Sequence, residues 1–175
     1  MDAIVFYSQL ALSLVVCALL AEWFLAPKLA ERSQAQALLL VLIPQAFRHF
    51  GLYGITQADF EPFLPKAWAY PVAAGDMATQ ISTVVAMILL RRGGSPGIAW
   101  AWICTVIGTA DFLYSSYLTV ALQVPIHKML AGWFLPTFYF PLVILGHWYA
   151  WRLLLFGPLP TRVRASTASS LRQAV

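Results

Sequence analysis

The sequence predicts an all-α integral membrane protein, a bundle of five transmembrane helices. Three observations predict it. The chain is 61% hydrophobic with a mean hydropathy of +0.74, far outside the range of soluble domains. Its apolar residues gather in five runs of spanning length, broken by Pro, Gly and charged residues. Charged residues make up only 10% of the chain, and most of them lie between those runs.

The first span covers about 3–26 and ends at Pro27, before Lys28, Glu31 and Arg32. It is read as a retained helix rather than a signal peptide, because no basic segment precedes it, the apolar run is long, and no small-x-small site comes cleanly after it. The second span covers about 35–53 and contains Pro44. The longest connection comes next, from Gly54 to Trp68, with Asp59, Glu61, Pro62, Pro65 and Lys66. The third span, about 69–90, ends at Arg91, Arg92 and the Gly93-Gly94-Ser95-Pro96-Gly97 turn. The fourth covers about 98–122 and stops before Pro125, with His127 and Lys128 in a short loop. The fifth covers about 133–156, with Pro136 and Pro141 in its first half. These spans form one domain, residues 1–158. Residues 159–175 read as a basic, Ser/Thr-rich disordered tail on the cytoplasmic side.

Orientation is set by the basic residues. Lys28 and Arg32, Arg91 and Arg92, and Arg162, Arg164 and Arg172 all fall on one side of a five-span topology. The positive-inside rule makes that side cytoplasmic, with the N-terminus outside and the C-terminus inside, in a bacterial-type inner membrane. Tryptophans near the span ends fit an interfacial belt. The net charge of +4 therefore reads as helix anchoring, not nucleic-acid binding. Cys17 and Cys104 lie inside apolar runs and read as packing residues. The expected partners are the lipid bilayer and a homo-oligomer or membrane-complex partner.

Four ionisable residues lie inside the spans: Arg48, His49, Asp76 and Asp111. Such groups are costly at bilayer depth unless paired, and they mark sites or pathways. At 1.5 Å rise per residue, His49, Asp76 and Asp111 fall roughly 6–16 Å below the outer surface, on three different helices. Each belongs to a helical stripe: Gln45, Arg48 and His49; Asp76, Thr79, Gln80 and Thr83; Cys104, Gly108, Asp111 and Ser115. Lipid-facing helices need no polar stripe, so the three should face one another. Gly75, Ala78, Cys104 and Gly108 would let spans three and four approach closely. His147 on span five lies deeper by the same arithmetic. It joins the group only if that helix starts late or bends at Pro141, which would free a carbonyl near Thr137.

Three functions are compatible with this pattern. In the first, Gln45, Arg48, His49, Asp76, Gln80, Asp111 and Ser115 form a pocket between spans two, three and four, open to the outer face. Arg48 holds one aspartate, and the other, with His49, binds a cation, a proton or a small ligand for transport or binding. In the second, His49, Asp76, Asp111 and His147 hold a divalent metal for hydrolysis. No H-E-x-x-H motif is present, and a metal beside Arg48 would leave a net positive cluster. In the third, the charges only fix the packing of an accessory subunit. Haem held by His49 and His147 is disfavoured by their different depths. No mid-span lysine suits a Schiff base, and no G-x-S-x-G elbow, phosphate loop or disulfide framework appears.

Overall fold

The computed structural model describes residues 2–60, 64–93, 95–124 and 130–160. About 90% is helical, and the described residues include no strand. Of the expected tail, 159–175, residues 161–175 lie outside the described residues, as does the loop carrying His127 and Lys128. Four helical stretches are long and apolar enough to cross a membrane: Ala3–Ala30, Gln34–Thr56, Lys66–Arg92 and Ser95–Ala121. A final rod runs through Leu135–Tyr139 into a helix over Phe140–Phe156.

The first rod consists of α1 (Asp2–Leu20), a π turn over Ala21–Leu25 and α2 (Ala26–Ala30). The second starts with α3 (Gln34–Val41). Ser33 caps it in a reciprocal capping box, its hydroxyl accepting from the Gln36 N–H while the Gln36 side chain accepts from the Ser33 N–H. After α3 the chain tightens into a 3₁₀ stretch over Pro44–Leu52, kinked at Phe47 (φ −108°, ψ 15°), and then relaxes into α4 (Tyr53–Phe60). The long connection expected over residues 54–68 is therefore largely helical. The third and fourth rods, α5 (Lys66–Arg92) and α6 (Ser95–Ala121), form a long antiparallel hairpin. The helix α7 (Phe140–Phe156) completes the bundle.

Prolines explain both π turns. Ala26 and Phe140 each donate their N–H five residues back, to the carbonyls of Ala21 and Leu135. Each is succeeded at once by a proline, Pro27 or Pro141. A helical proline lacks the N–H for the carbonyl four residues back, and its ring crowds that carbonyl. The turn before it widens by one residue instead of breaking.

The α5–α6 pair sets the spacing of everything else. Gly75 faces Asp111, Thr79 faces Gly108, and Gly97 meets the backbone of Leu90. Thr79, Thr83, Ala86, Ala101, Cys104 and Thr105 are buried along this seam. Small side chains allow the close backbone approach that lipid-embedded helices rely on. Several hydroxyls use their donor within their own helix, Thr79 on the Gly75 carbonyl and Thr109 on the Thr105 carbonyl.

The two ends of the bundle differ. At one end a packed core joins Leu29, Leu38, Val41, Leu42, Leu90, Ala101, Ala150 and Leu153. At the other a smaller cluster of Ala58, Leu64, Trp68, Ala69 and Val124 forms a stopper. Between them lies a cavity. The stopper depends on how α6 ends: Val124 donates to the Thr119 carbonyl and Gln123 to that of Val120, the paired bonds of a Schellman motif. Gln123 occupies its left-handed position at φ +49°. Left-handed backbone costs a side-chain-bearing residue on the order of 1–2 kcal/mol, and glycine escapes that penalty. Gln123→Gly should therefore stabilise the protein by about 1 kcal/mol, read as a higher midpoint in denaturant titration of the detergent-solubilised chain.

Candidate functional site

Arg48 stands at the floor of the cavity and is buried. A guanidinium has five N–H donors in a planar fork. Here every one has an acceptor. Nε donates to Gln45 Oε1 at 2.9 Å. Nη1 donates to Asp76 Oδ1 at 2.8 Å and to Asp111 Oδ2. Nη2 reaches His147 Nε2 at 3.2 Å and, at a long 3.5 Å, the Gly108 carbonyl. Because the guanidinium only donates, it fixes His147 Nε2 as an acceptor. The acceptors come from the 3₁₀ stretch, α5, α6 and α7, so one side chain ties together four rods. Gln45 adds a further tie, donating from Nε2 to the Val143 carbonyl of α7 at 3.0 Å.

Local structure brings these groups together. In a 3₁₀ helix side chains three residues apart eclipse. Over Pro44–Leu52 two such tight segments meet at a kink at Phe47 (φ −108°, ψ 15°), and together they bring Gln45, Arg48 and Gly51 toward the cluster and turn His49 aside. This corrects the α-helical stripe of Gln45, Arg48 and His49. His49 instead meets Gln80, which accepts from the His49 backbone N–H at 2.6 Å and lies 3.2 Å from Nδ1. The two form a separate pair beside the cluster. Asp111 keeps the expected stripe partner, Ser115, whose hydroxyl donates to Oδ1 at 3.3 Å. His147, expected too deep, arrives against Arg48 on the helix that succeeds the π turn and contains Pro141.

Glycines make the room. A Cβ on Gly51 would sit 1.8 Å from Asp76 Oδ2, and one on Gly75 would sit 1.8 Å from Asp111 Oδ1. A Cβ on Gly108 would lie 2.6 Å from the His147 ring. Each carboxylate thus occupies the place of a missing side chain. Gly51 and Tyr139 were not among the sequence candidates. Tyr139 lines the cavity and donates its hydroxyl to the Pro44 carbonyl at 2.7 Å, anchoring the start of the 3₁₀ turn.

The metal set of His49, Asp76, Asp111 and His147 is not assembled. Among the described residues no three His, Cys, Asp or Glu side chains are grouped as metal ligands. The reason is geometric: Arg48 fills the centre that an ion would need, and His49 points to Gln80.

The cavity measures about 380 Å³, within the range of small-molecule sites. Arg48, Asp76 and Asp111 form its floor. Its wall includes Leu10, Val72, Phe112, Val120, Leu135 and Phe140. Two carboxylates against one guanidinium leave one negative charge. The second oxygen of Asp76, Oδ2, has no hydrogen-bond partner among the described residues, and the Asp76 side chain is 17% exposed.

Removing one partner of a buried ion pair strands the other charge, at about 3–5 kcal/mol. Arg48→Met should therefore destabilise the protein by about 3–5 kcal/mol. Adding Asp76→Asn and Asp111→Asn to it should recover most of that loss. Unfolding titrations of the single and triple variants in detergent give both numbers.

No curated protein and no solved structure matches the chain. A family model described as a domain of unknown function, DUF8737, matches residues 5–155, which include every residue of the Arg48 cluster. The chain belongs to the DUF8737 family.

Proposed function

We propose that this is a multipass membrane protein that binds a monovalent cationic group, or a proton, in a cavity in the outer half of the bundle, for transport or sensing. The observation that carries this reading is the excess carboxylate at the cavity floor. Arg48 holds Asp76 and Asp111 together but neutralises only one of them, and Asp76, which lines the cavity, keeps its Oδ2 against Gly51 with no donor among the described residues. A buried negative charge in a low-dielectric wall favours a cation or a proton strongly.

Membrane insertion is supported by the four long apolar helices and by large exposed apolar side chains such as Leu12, Trp23, Leu113, Phe138 and Trp148. The fifth span is α7 with its π turn. The basic residues support an N-terminus outside and a C-terminus in the cytoplasm of a bacterial inner membrane. On that orientation the cavity lies in the outer half of the bundle and the packed core in the inner half. Discontinuous helices with unwound or tightened turns are a recurring device at transporter midplanes, and the 3₁₀ segment around Arg48 has that form. The Gln45, Arg48, Asp76, Asp111 and Ser115 side chains form the binding floor, and the His49–Gln80 pair braces it.

The test is a thermal-stability series on the purified full chain with sodium, potassium and methylammonium, repeated across pH, for wild type and Asp76→Asn. The wild type should respond to at least one of these ions or to protons, and the variant to none. Equal responses in the two proteins overturn the reading. For orientation, a green fluorescent protein fused after Val175 should fluoresce, and alkaline phosphatase fused there should be inactive; the opposite pair inverts the topology.

A further inference from the structure

Several of the cavity's other polar groups already have partners. Trp68 donates its indole N–H to Thr119 Oγ1 at 2.9 Å, and Thr119 donates to the Ser115 carbonyl at 2.8 Å. Ser115 donates to Asp111, and Tyr139 to the Pro44 carbonyl. An occupant meets mostly hydrocarbon and ring face, with one unmet negative charge at the bottom. A hydrated inorganic ion would leave that apolar volume unsatisfied. A ligand with a cationic head and an apolar body fits both parts, and the rings of Trp68 and Tyr139 add favourable faces for an ammonium.

The position of the mouth identifies where such a ligand comes from. The end of the cavity toward the outer surface is closed by the stopper around Trp68, whose ring lies 3.3 Å from the site of a Gly54 Cβ. Toward the core, Phe112 of α6 stacks on Phe140 of α7 at 4.9 Å. Among the lining residues the exposed ones include Tyr7 of α1 at 58%, Val120 of α6 at 77%, and Ser116 of α6. They lie on two rods flanking one side of the cavity. The first rod is fastened to the other flank: Phe6 packs edge-on against Trp133 at 5.2 Å, and Gln9 accepts the Trp133 indole N–H. The opening is therefore a cleft between α1 and α6, framed by side chains exposed at the level of the bilayer.

We infer that the cavity takes a membrane-borne amphiphile with a primary ammonium head and a single apolar chain, which slides in between α1 and α6 and sets its head on Asp76. This rests on the cation-binding reading and adds to it the chemical class and the route. The chain lies along Leu10, Phe112, Val120 and Leu135 while the head replaces the missing donor at Asp76 Oδ2.

The test uses the full chain in phosphatidylcholine nanodiscs and a dodecylamine carrying a mid-chain diazirine. After illumination, peptide mass spectrometry maps the labelled residues. The expected result is labelling concentrated on Leu10, Phe112 and Val120, well above that on lipid-facing Leu12 and Ile88, lost in Asp76→Asn and suppressed by unlabelled dodecylamine. Ser116→Trp, which narrows the cleft without touching the ion cluster, should reduce it as well. Labelling spread evenly over the exposed apolar faces overturns the inference. Equal competition by butylamine also overturns it, while leaving a cation site in place. A matched diazirine alcohol that labels the cavity as well as the amine does, with no loss in Asp76→Asn, overturns the cation-binding reading itself. If Asp76→Asn does not fold, competition by dodecanol against dodecylamine decides the same point in the wild type.

Discussion

The five donors of Arg48 organise this bundle. In water a guanidinium is solvated on all sides. Inside an apolar bundle each N–H left without an acceptor costs energy comparable to a lost hydrogen bond or more. The chain answers with acceptors from four rods, and the fixed fork geometry dictates where each rod must stand. Lysine would not do this, since its three donors rotate freely about a point charge. In the membrane setting proposed above, apolar surfaces supply little direction, because a side chain facing lipid and one facing another helix see similar surroundings. Specific register must then come from polar contacts and from close steric fit, and both converge on the same residues.

The backbone departures serve that constraint. A regular α-helix through residues 44–52 would separate Gln45, Arg48 and Gly51 around its axis. The tight winding and the kink at Phe47 bring them together, so that Arg48 is held by Gln45 on one side and Gly51 leaves space for Asp76 on the other. In the last rod, the π turn before Pro141 shifts the phase of the helix beyond it, and His147 and the Val143 carbonyl arrive facing Arg48 and Gln45. Both irregular segments border the cavity, and they meet where Tyr139 donates to the Pro44 carbonyl. Regular helices can carry a charged cluster, but these two adjustments let side chains from four directions share one centre.

The legibility of this arrangement in the sequence depends on helical regularity. The stripes of α5 and α6 are readable because those rods are unbroken, and a period of 3.6 maps spacing onto face. Thr79, Thr83, Cys104, Gly108 and Asp111 accordingly lie along the seam expected for them, while Asp76 turns to Arg48 and Gly51 of the second rod. The same arithmetic fails for His49. Pro44 signals an interruption but neither the tight winding beyond it nor the kink at Phe47, and a change from 3.6 to 3.0 residues per turn alone already moves a side chain four positions along by about 80°. Gly51 is invisible for a related reason: its role is to be absent where a carboxylate needs room, and that shows only in three dimensions. The stretch after residue 53 reads as a loop because Gly54, Pro62 and Pro65 are strong breakers, yet α4 forms between them. His147 reads as too deep because constant rise per residue takes no account of the π turn.

The contrast between the two ends of the bundle bears on why the charges are there at all. If Arg48, Asp76 and Asp111 served packing alone, a balanced pair would suffice, and replacing such a pair by apolar side chains is often neutral or stabilising. A second carboxylate adds desolvation cost without adding a rod, since α6 already reaches Arg48 through the Gly108 carbonyl. The cost is reduced only where the surplus charge borders a space that something cationic can occupy. Asp76 borders such a space, while the core of the opposite half is packed mostly with leucine and alanine. A surplus charge placed beside the void, on glycines cut to fit it, is better explained by an occupant than by architecture.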